Sequence, residues 1–156
     1  SLNDLRRIIF DLRPMILDDL GLAPALRRYT DDFASRHNLP VEMKVLGVET
    51  RIAPVVEVAL FRIVQEALHN ARKHALASRV VVTLGYGPDA VGVSIEDNGK
   101  GFDPNGVSRN WGQSEKFGLS GMKERAKLFG GSLDVDTVPG EGTKITVRIP
   151  VARRNN

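Results

Sequence analysis

The chain has 156 residues, 42% of them hydrophobic and 26% charged, the size and make-up of one domain with a self-sufficient core. It holds no cysteine, which excludes disulfides, zinc–thiolate sites and thiol nucleophiles and fits a reducing, cytoplasmic setting. A net charge of +3, with basic residues spread out apart from Arg153-Arg154, points away from nucleic acid, and the lack of a long apolar run points away from a membrane contact by this segment.

Leu2, Leu5, Ile9, Leu12 and Ile16 recur at spacings of 3, 4, 3 and 4. This is a heptad-like seam on a helix that Pro14 should end near Leu12 or Arg13. The chain opens at Ser1-Leu2-Asn3 inside this pattern, without an initiating Met. We therefore expect a piece of a longer protein, its first helix cut from a bundle partner. Leu17-Asp18-Asp19-Leu20-Gly21-Leu22 reads as a turn. A helix should run from about Pro24 to His37, with Asn38-Leu39-Pro40 ending it. Val41, Met43 and Val45 alternate with polar residues, as in a strand over 41–46. Residues 47–53 are loop, and the longest helix spans Pro54 to His74. Arg79 to Leu84 is β-branched, Gly85-Tyr86-Gly87-Pro88-Asp89 is turn material, and Val91, Val93 and Ile95 alternate: a hairpin. Residues 98–118 form a long glycine-rich loop holding the only tryptophan, Trp111, a length typical of a functional lid. Leu119 to Phe129 is a further helix, stopped by Gly130-Gly131. Residues 132–137 and 143–150 pair around Pro139-Gly140-Glu141-Gly142. This order predicts an α+β fold, a two-layer α/β sandwich with a five-stranded mixed sheet and three helices on one face.

The long helix carries unusual chemistry. Val56, Leu60, Ile63, Val64, Ala67 and Ala71 make its apolar face. Glu66, Asn70 and Lys73 stack on the other side, with Arg62 and Ala77 close by. A solvated stripe usually alternates Glu and Lys. An acid, an amide oxygen and an ammonium suit a metal-bound polyphosphate. Strand parity adds two polar groups. Val91, Val93 and Ile95 face the core, so Asp97 points the same way; Ile145, Val147 and Ile149 share parity with Thr143. Asp97 could simply cap the turn Asn98-Gly99, or accept a ligand amine at the bottom of a pocket. Two polar groups that end apolar rows can specify a planar ligand such as a purine. Gly99, Gly101, Gly118 and Gly121 flank the loop, and Gly118-Leu119-Ser120-Gly121 opens a helix whose N–H groups can meet a phosphate. The Walker pattern is absent. Gly85-x-Gly87-x-x-Ala90 is no dinucleotide fingerprint, because a strand and not a helix follows it.

Taken together, these stretches resemble a family. Glu66-x-x-x-Asn70-x-x-Lys73-His74-Ala75 resembles the N box of the GHKL (Bergerat-fold) ATPases in its sensor histidine kinase form. Asp97-Asn98-Gly99-Lys100-Gly101-Phe102 is similar to the G1 box, Phe117-Gly118-Leu119-Ser120-Gly121-Met122-Lys123-Glu124-Arg125 to the G2 region, and Gly140-Glu141-Gly142-Thr143 to the final glycine-threonine motif. Leu5-Arg6, Leu12-Arg13-Pro14 and Leu17-x-x-Leu20-Gly21-Leu22-x-x-Ala25-Leu26 resemble the junction of the subfamily paired with NarL-type response regulators, most of all its DegS-type kinases.

The resemblance implies that residues 1–19 end a dimerisation and phosphoacceptor helix, 20–151 form the catalytic ATP-binding domain, and 152–156 are a tail. It implies ATP and Mg²⁺ as cofactors, a NarL-type regulator as partner, and a homodimeric parent. Asn70 would hold Mg²⁺. Lys73 and His74 would lie near the phosphates. Asp97 would accept the adenine amine, helped by Thr143. Gly99 and Gly101 would let the strand end pass the base closely, with Phe102 beside them. Gly118 and Gly121 would hinge the lid and offer backbone donors to the phosphates, with Leu119 and Met122 also among the cofactor-binding residues. Glu66 and Lys73 would be the catalytic pair, with Glu66 ordering water or Mg²⁺ ligands. None of His37, His69 and His74 sits in a phosphoacceptor pattern; His37 reads as surface. The segment is therefore expected to bind ATP but not to phosphorylate itself; the γ-phosphate would go to a His on a bundle absent here, then to a regulator Asp. An anti-sigma-factor-type serine kinase and a nucleotide-sensing module without transfer activity are the alternatives.

Overall fold

The computed structural model describes residues 15–101 and 118–151. Elements follow in the order α1 (Met15–Leu20), α2 (Leu22–His37), β1 (Val41–Leu46), α3 (Pro54–Lys73), β2 (Val80–Tyr86), β3 (Ala90–Asp97), α4 (Leu119–Leu128), β4 (Ser132–Val138) and β5 (Gly142–Pro150). The five strands form one sheet in the order β1-β2-β3-β5-β4. Only β1 and β2 run parallel; the other neighbours are antiparallel. The sheet is therefore mixed, as expected.

Period-two alternation builds the layers. Val80, Val82 and Leu84, Val91, Val93 and Ile95, and Ile145, Val147 and Ile149 are all buried. Between them Thr83, Ser94, Glu96, Lys144, Thr146 and Arg148 stay half-exposed or exposed on the open face. α3 lies across the buried face with Leu60, Ile63, Val64 and Leu68 fully enclosed, the apolar stripe its sequence shows. Pro54 sits at its first turn, where a missing N–H costs nothing. Among the described residues, no helix is long and apolar enough to cross a membrane.

Several boundaries differ from expectation. Residues 15–20 form a short helix where a turn is expected, so the described residues hold four helices instead of three. Leu17, 1% exposed, roots it in the core, and the Gly21 N–H closes it on Leu17 O at 3.1 Å. Gly85 and Tyr86 belong to β2, paired with Gly92 and Val91; the turn starts at Gly87, whose N–H donates to Ala90 O at 2.9 Å. α3 ends at Lys73, with His74 as its cap. The heptad seam before Pro14, Phe102, Trp111 and most of the long loop lie outside the described residues.

Candidate functional site

The end of the β3–β5 ladder carries the decisive pair. Asp97 and Thr143 are direct cross-strand partners, each closing an apolar row. They line a narrow cleft with Asn70 and His74 from the end of α3, floored by Ile95 and Ile145 and bounded by Leu119 from the start of α4. Chain segments remote in sequence thus converge on one end of the sheet.

Asp97 is half-buried, and burial raises its carboxyl above the ordinary value. Backbone N–H donors of Gly99 and Thr143 lower it in part, and Glu96 raises it slightly. The Gly99 N–H reaches Asp97 Oδ1 at 2.8 Å. Asp97 therefore caps the turn and also lines the cleft. Thr143 is 8% exposed, and its hydroxyl lies 3.0 Å from Thr137 Oγ1. Asn70 presents a buried amide oxygen. Glu66 is half-buried on α3, whereas Lys73 is exposed on the last turn.

The glycines serve the chain's own close approaches. Gly101 takes φ 64, and a Cβ there would collide with Val138 O. A Cβ on Gly99 would stand 2.5 Å from Ala75 O. Lys100 donates its N–H to Ala75 O at 2.9 Å and accepts from the Gly140 N–H at 2.6 Å. The loop after β3 is thus clamped between the end of α3 and the β4–β5 turn. Gly118, at φ 64, caps α4, and a Cβ there would stand 2.5 Å from Glu66 Oε1. Gly121 is exposed with open space around it. Met122, 2% exposed, is a core residue.

Two site-building residues escape the sequence reading. Asn98 Oδ1 accepts the N–H groups of Ser78 at 3.0 Å and Arg79 at 2.9 Å, and its Nδ2 donates to Ser78 Oγ at 2.9 Å. This staples the end of β3 to the entry of β2. Thr137 shares parity with Leu133 and Val135, a signal of the kind that revealed Thr143. His37 is half-exposed at the end of α2, with its ring centroid 4.6 Å from that of Phe33. Arg62, expected beside the polar stripe, is 6% exposed and donates to Gln65 Oε1 at 2.9 Å.

The family model described as histidine kinase-, DNA gyrase B- and HSP90-like ATPase matches residues 55–153, which include this whole cleft. The chain belongs to that ATPase family. Among relatives of this ATPase domain, the signal transduction histidine-protein kinase/phosphatase DegS of Brevibacillus brevis is 47% identical over 155 residues, 97% of this chain and 38% of its own length. DegS of Bacillus subtilis is 41% identical over 143 residues, covering 90% and 37%, and the sensor histidine kinase LiaS of Bacillus subtilis is 38% identical, covering 96% and 39%. The chain thus spans under half the length of these relatives. The ATP-binding domain of PrrB from Mycobacterium tuberculosis superposes with a TM-score of 0.61 at 25% identity, over 80% of this chain and 90% of that one. The histidine kinase domain of the Erythrobacter litoralis blue-light activated kinase shares the fold, with a TM-score of 0.65 at 22% identity over 83% and 61%.

Proposed function

We propose that this segment binds Mg-ATP and serves as the catalytic part of a sensor histidine kinase. It donates the γ-phosphate to a His on a dimerisation bundle, for relay to an Asp of a response regulator. The observation that carries the reading is the Asp97–Thr143 pair closing an apolar cleft whose far wall is Asn70. The histidine kinase relatives support the kinase assignment. A NarL-type regulator, a homodimeric parent and a cytoplasmic setting, where ATP is available, complete the proposal. Residues 1–19 are assigned to the end of the dimerisation and phosphoacceptor helix and its junction; within the described residues, α1 is rooted on the catalytic unit through Leu17.

The residues fit a magnesium ion held mainly by others' oxygens. Among the described residues no three His, Asp or Glu side chains cluster to cage a metal. A hard cation that keeps phosphate oxygens and waters needs only one neutral protein oxygen, and Asn70 Oδ1 offers it. When bound, the ion neutralises phosphate charge. Asp97 accepts the base's amine. Thr143 extends that polar end. His74 and Lys73 bring donors and positive charge to the phosphates. Glu66, against the Gly118 backbone, orders water at the same wall. Lys73 and Glu66 are proposed as catalytic on this basis, and the backbone of Gly118 to Met122 as the phosphate-facing turn.

The test is twofold. Calorimetry on this segment should show Mg-ATP binding that Asp97→Asn abolishes while circular dichroism stays unchanged. The longer protein, with its bundle, should form acid-labile, base-stable phosphohistidine from Mg-ATP. Absence of that product would overturn the kinase reading while leaving nucleotide binding to stand or fall on the calorimetry.

A further inference from the structure

A cavity of about 740 Å³ opens at the end of the sheet opposite the cleft. Its walls are the loop between β1 and α3, the first turn of α3, the β2–β3 turn and the end of β5. Ala90 and Asp97 stand at opposite ends of β3, about 24 Å apart at the rise of an extended strand, so cavity and cleft are separate. The volume lies in the range of small-ligand sites, about 300–1,000 Å³. Most of the lining is apolar: Ile52, Val56, Pro88, Val91, Pro150 and Val151. Two donors interrupt this surface. Arg51 spends only Nη2 on the protein, reaching Glu57 Oε1 at 3.2 Å, Asp18 O at 3.1 Å and Leu17 O at 3.5 Å. Its Nη1 makes no hydrogen bond among the described residues, and the Tyr86 hydroxyl likewise makes none. Burial, helped by Glu49 and Glu57 and opposed by Arg27 and Arg51, pushes the phenol up to about 12, so at neutral pH it keeps a proton to give. Both of those carboxylates are already matched, Glu49 by Arg27 at 2.6 Å and Glu57 by Arg51. The Thr50 hydroxyl is spent on Val48 O at 2.9 Å. What the cavity lacks is an acceptor.

We infer that this cavity is a second ligand site, for a small monocarboxylate with an apolar body, whose oxygens are met by Arg51 Nη1 and the Tyr86 hydroxyl. A carboxylate accepts at both oxygens, and its bond to a guanidinium is about twice as strong as that of a neutral oxygen. The apolar lining takes the body of the ligand and sets it apart from a bare anion. Because Nη2 keeps its bonds, the guanidinium joins the ligand to α1 and to the first turn of α3 at once. Occupancy thus fastens α1 more firmly to the catalytic unit.

Octanoate and 1-octanol, probes of equal chain length, test this. Each is titrated into the isotopically labelled chain without nucleotide and followed by amide NMR shifts. Octanoate should shift the signals of residues 50–53 and 86–91 and bind about tenfold tighter than the alcohol. Tyr86→Phe keeps the ring and removes one donor. Arg51→Lys keeps a cation for Glu57 but has a single nitrogen for all its bonds. Either variant should bind octanoate about tenfold more weakly, and the preference for acid over alcohol should shrink. Should Arg51→Lys fold poorly, Tyr86→Phe decides. Equal binding of acid and alcohol, or octanoate affinity untouched by Tyr86→Phe, overturns the site. Displacement of octanoate by Mg-ATP, with shifts at Asn70, Asp97 and Thr143, also overturns it, since the probe would then sit in the cleft. The outcome does not depend on the nucleotide reading, because the titrations contain no ATP and the far end of the sheet takes no part in that reading.

Discussion

Asp97 is held by the fold against its own electrostatic preference. Burial raises its carboxyl above the ordinary value of 3.8 despite two backbone donors. The folded chain therefore holds this proton more tightly than the unfolded chain does. Between the ordinary value and the raised one, the folded state binds more protons, so the contribution of Asp97 to stability falls as pH rises through that interval. Above it the ionised group is a net burden, the pattern of a residue kept for binding. Asp97→Asn, free of ligand, should thus unfold at the same or a slightly higher urea concentration than the unaltered chain at pH 7. Its advantage should vanish below the ordinary carboxylate value. Urea titrations at several pH values read this directly. A clearly lower midpoint for Asp97→Asn at pH 7 would show that the donated hydrogen bonds outweigh burial. Loss of ATP binding together with unimpaired stability would separate ligand recognition from folding in one residue.

At the scale of elements, α3 is anchored at one end and lines the candidate cleft at the other. Glu57, 1% exposed, accepts the Leu22 N–H at 3.2 Å and pairs with Arg51 at 3.2 Å. Arg51 also donates to Asp18 O at 3.1 Å. This cluster fastens α1 and the start of α2 to the first turn of α3. Glu57→Ala strands the buried Leu22 N–H and should cost about 2–4 kcal/mol in urea unfolding. Glu57→Gln keeps an oxygen for that N–H and should cost less, about 1 kcal/mol. Because Asn70 lies about 20 Å further along the helix, ATP affinity of the folded Glu57 variants should be unchanged; a large loss would mean that the anchor shapes the cleft. Strand parity made Asp97 and Thr143 legible, and the apolar face of α3 is visible in its spacing. The Glu57 anchor was not legible, since a carboxylate in a first helical turn looks like an ordinary dipole partner. Nor was the reversal after α3, where Leu76 takes φ 52 without the glycine that would signal it. The helix α1 was hidden because Asp18-Asp19 and Gly21 read as a turn, while its formation depends on Leu17 finding the core.

At the scale of the whole molecule, the cleft sits where α3 and β3 end and where α4 and β5 begin. It encloses only about 20 Å³ of free volume, whereas pockets that hold small ligands run to about 300–1,000 Å³. A base bound there as proposed would have to part these walls and would then bridge elements from both halves of the chain. Any ligand that binds only the folded state stabilises it in proportion to the logarithm of its concentration over Kd, about 2.7 kcal/mol at a hundredfold excess. For a domain of this size that corresponds to a rise in Tm of roughly 5–10 °C. Metal enters the same linkage. If Asn70 holds the ion, Mg-ATP should raise Tm well beyond ATP with a chelator, and Asn70→Ala should reduce the first shift to the size of the second. The variant keeps Asp97 and Thr143, so its metal-free shift should match that of the unaltered chain. Equal shifts with and without magnesium in the unaltered chain would remove the metal from the site altogether. A magnesium-dependent shift that survives in Asn70→Ala would instead move the ion's protein ligand elsewhere, with half-buried Glu66 the nearest carboxylate on the same stripe.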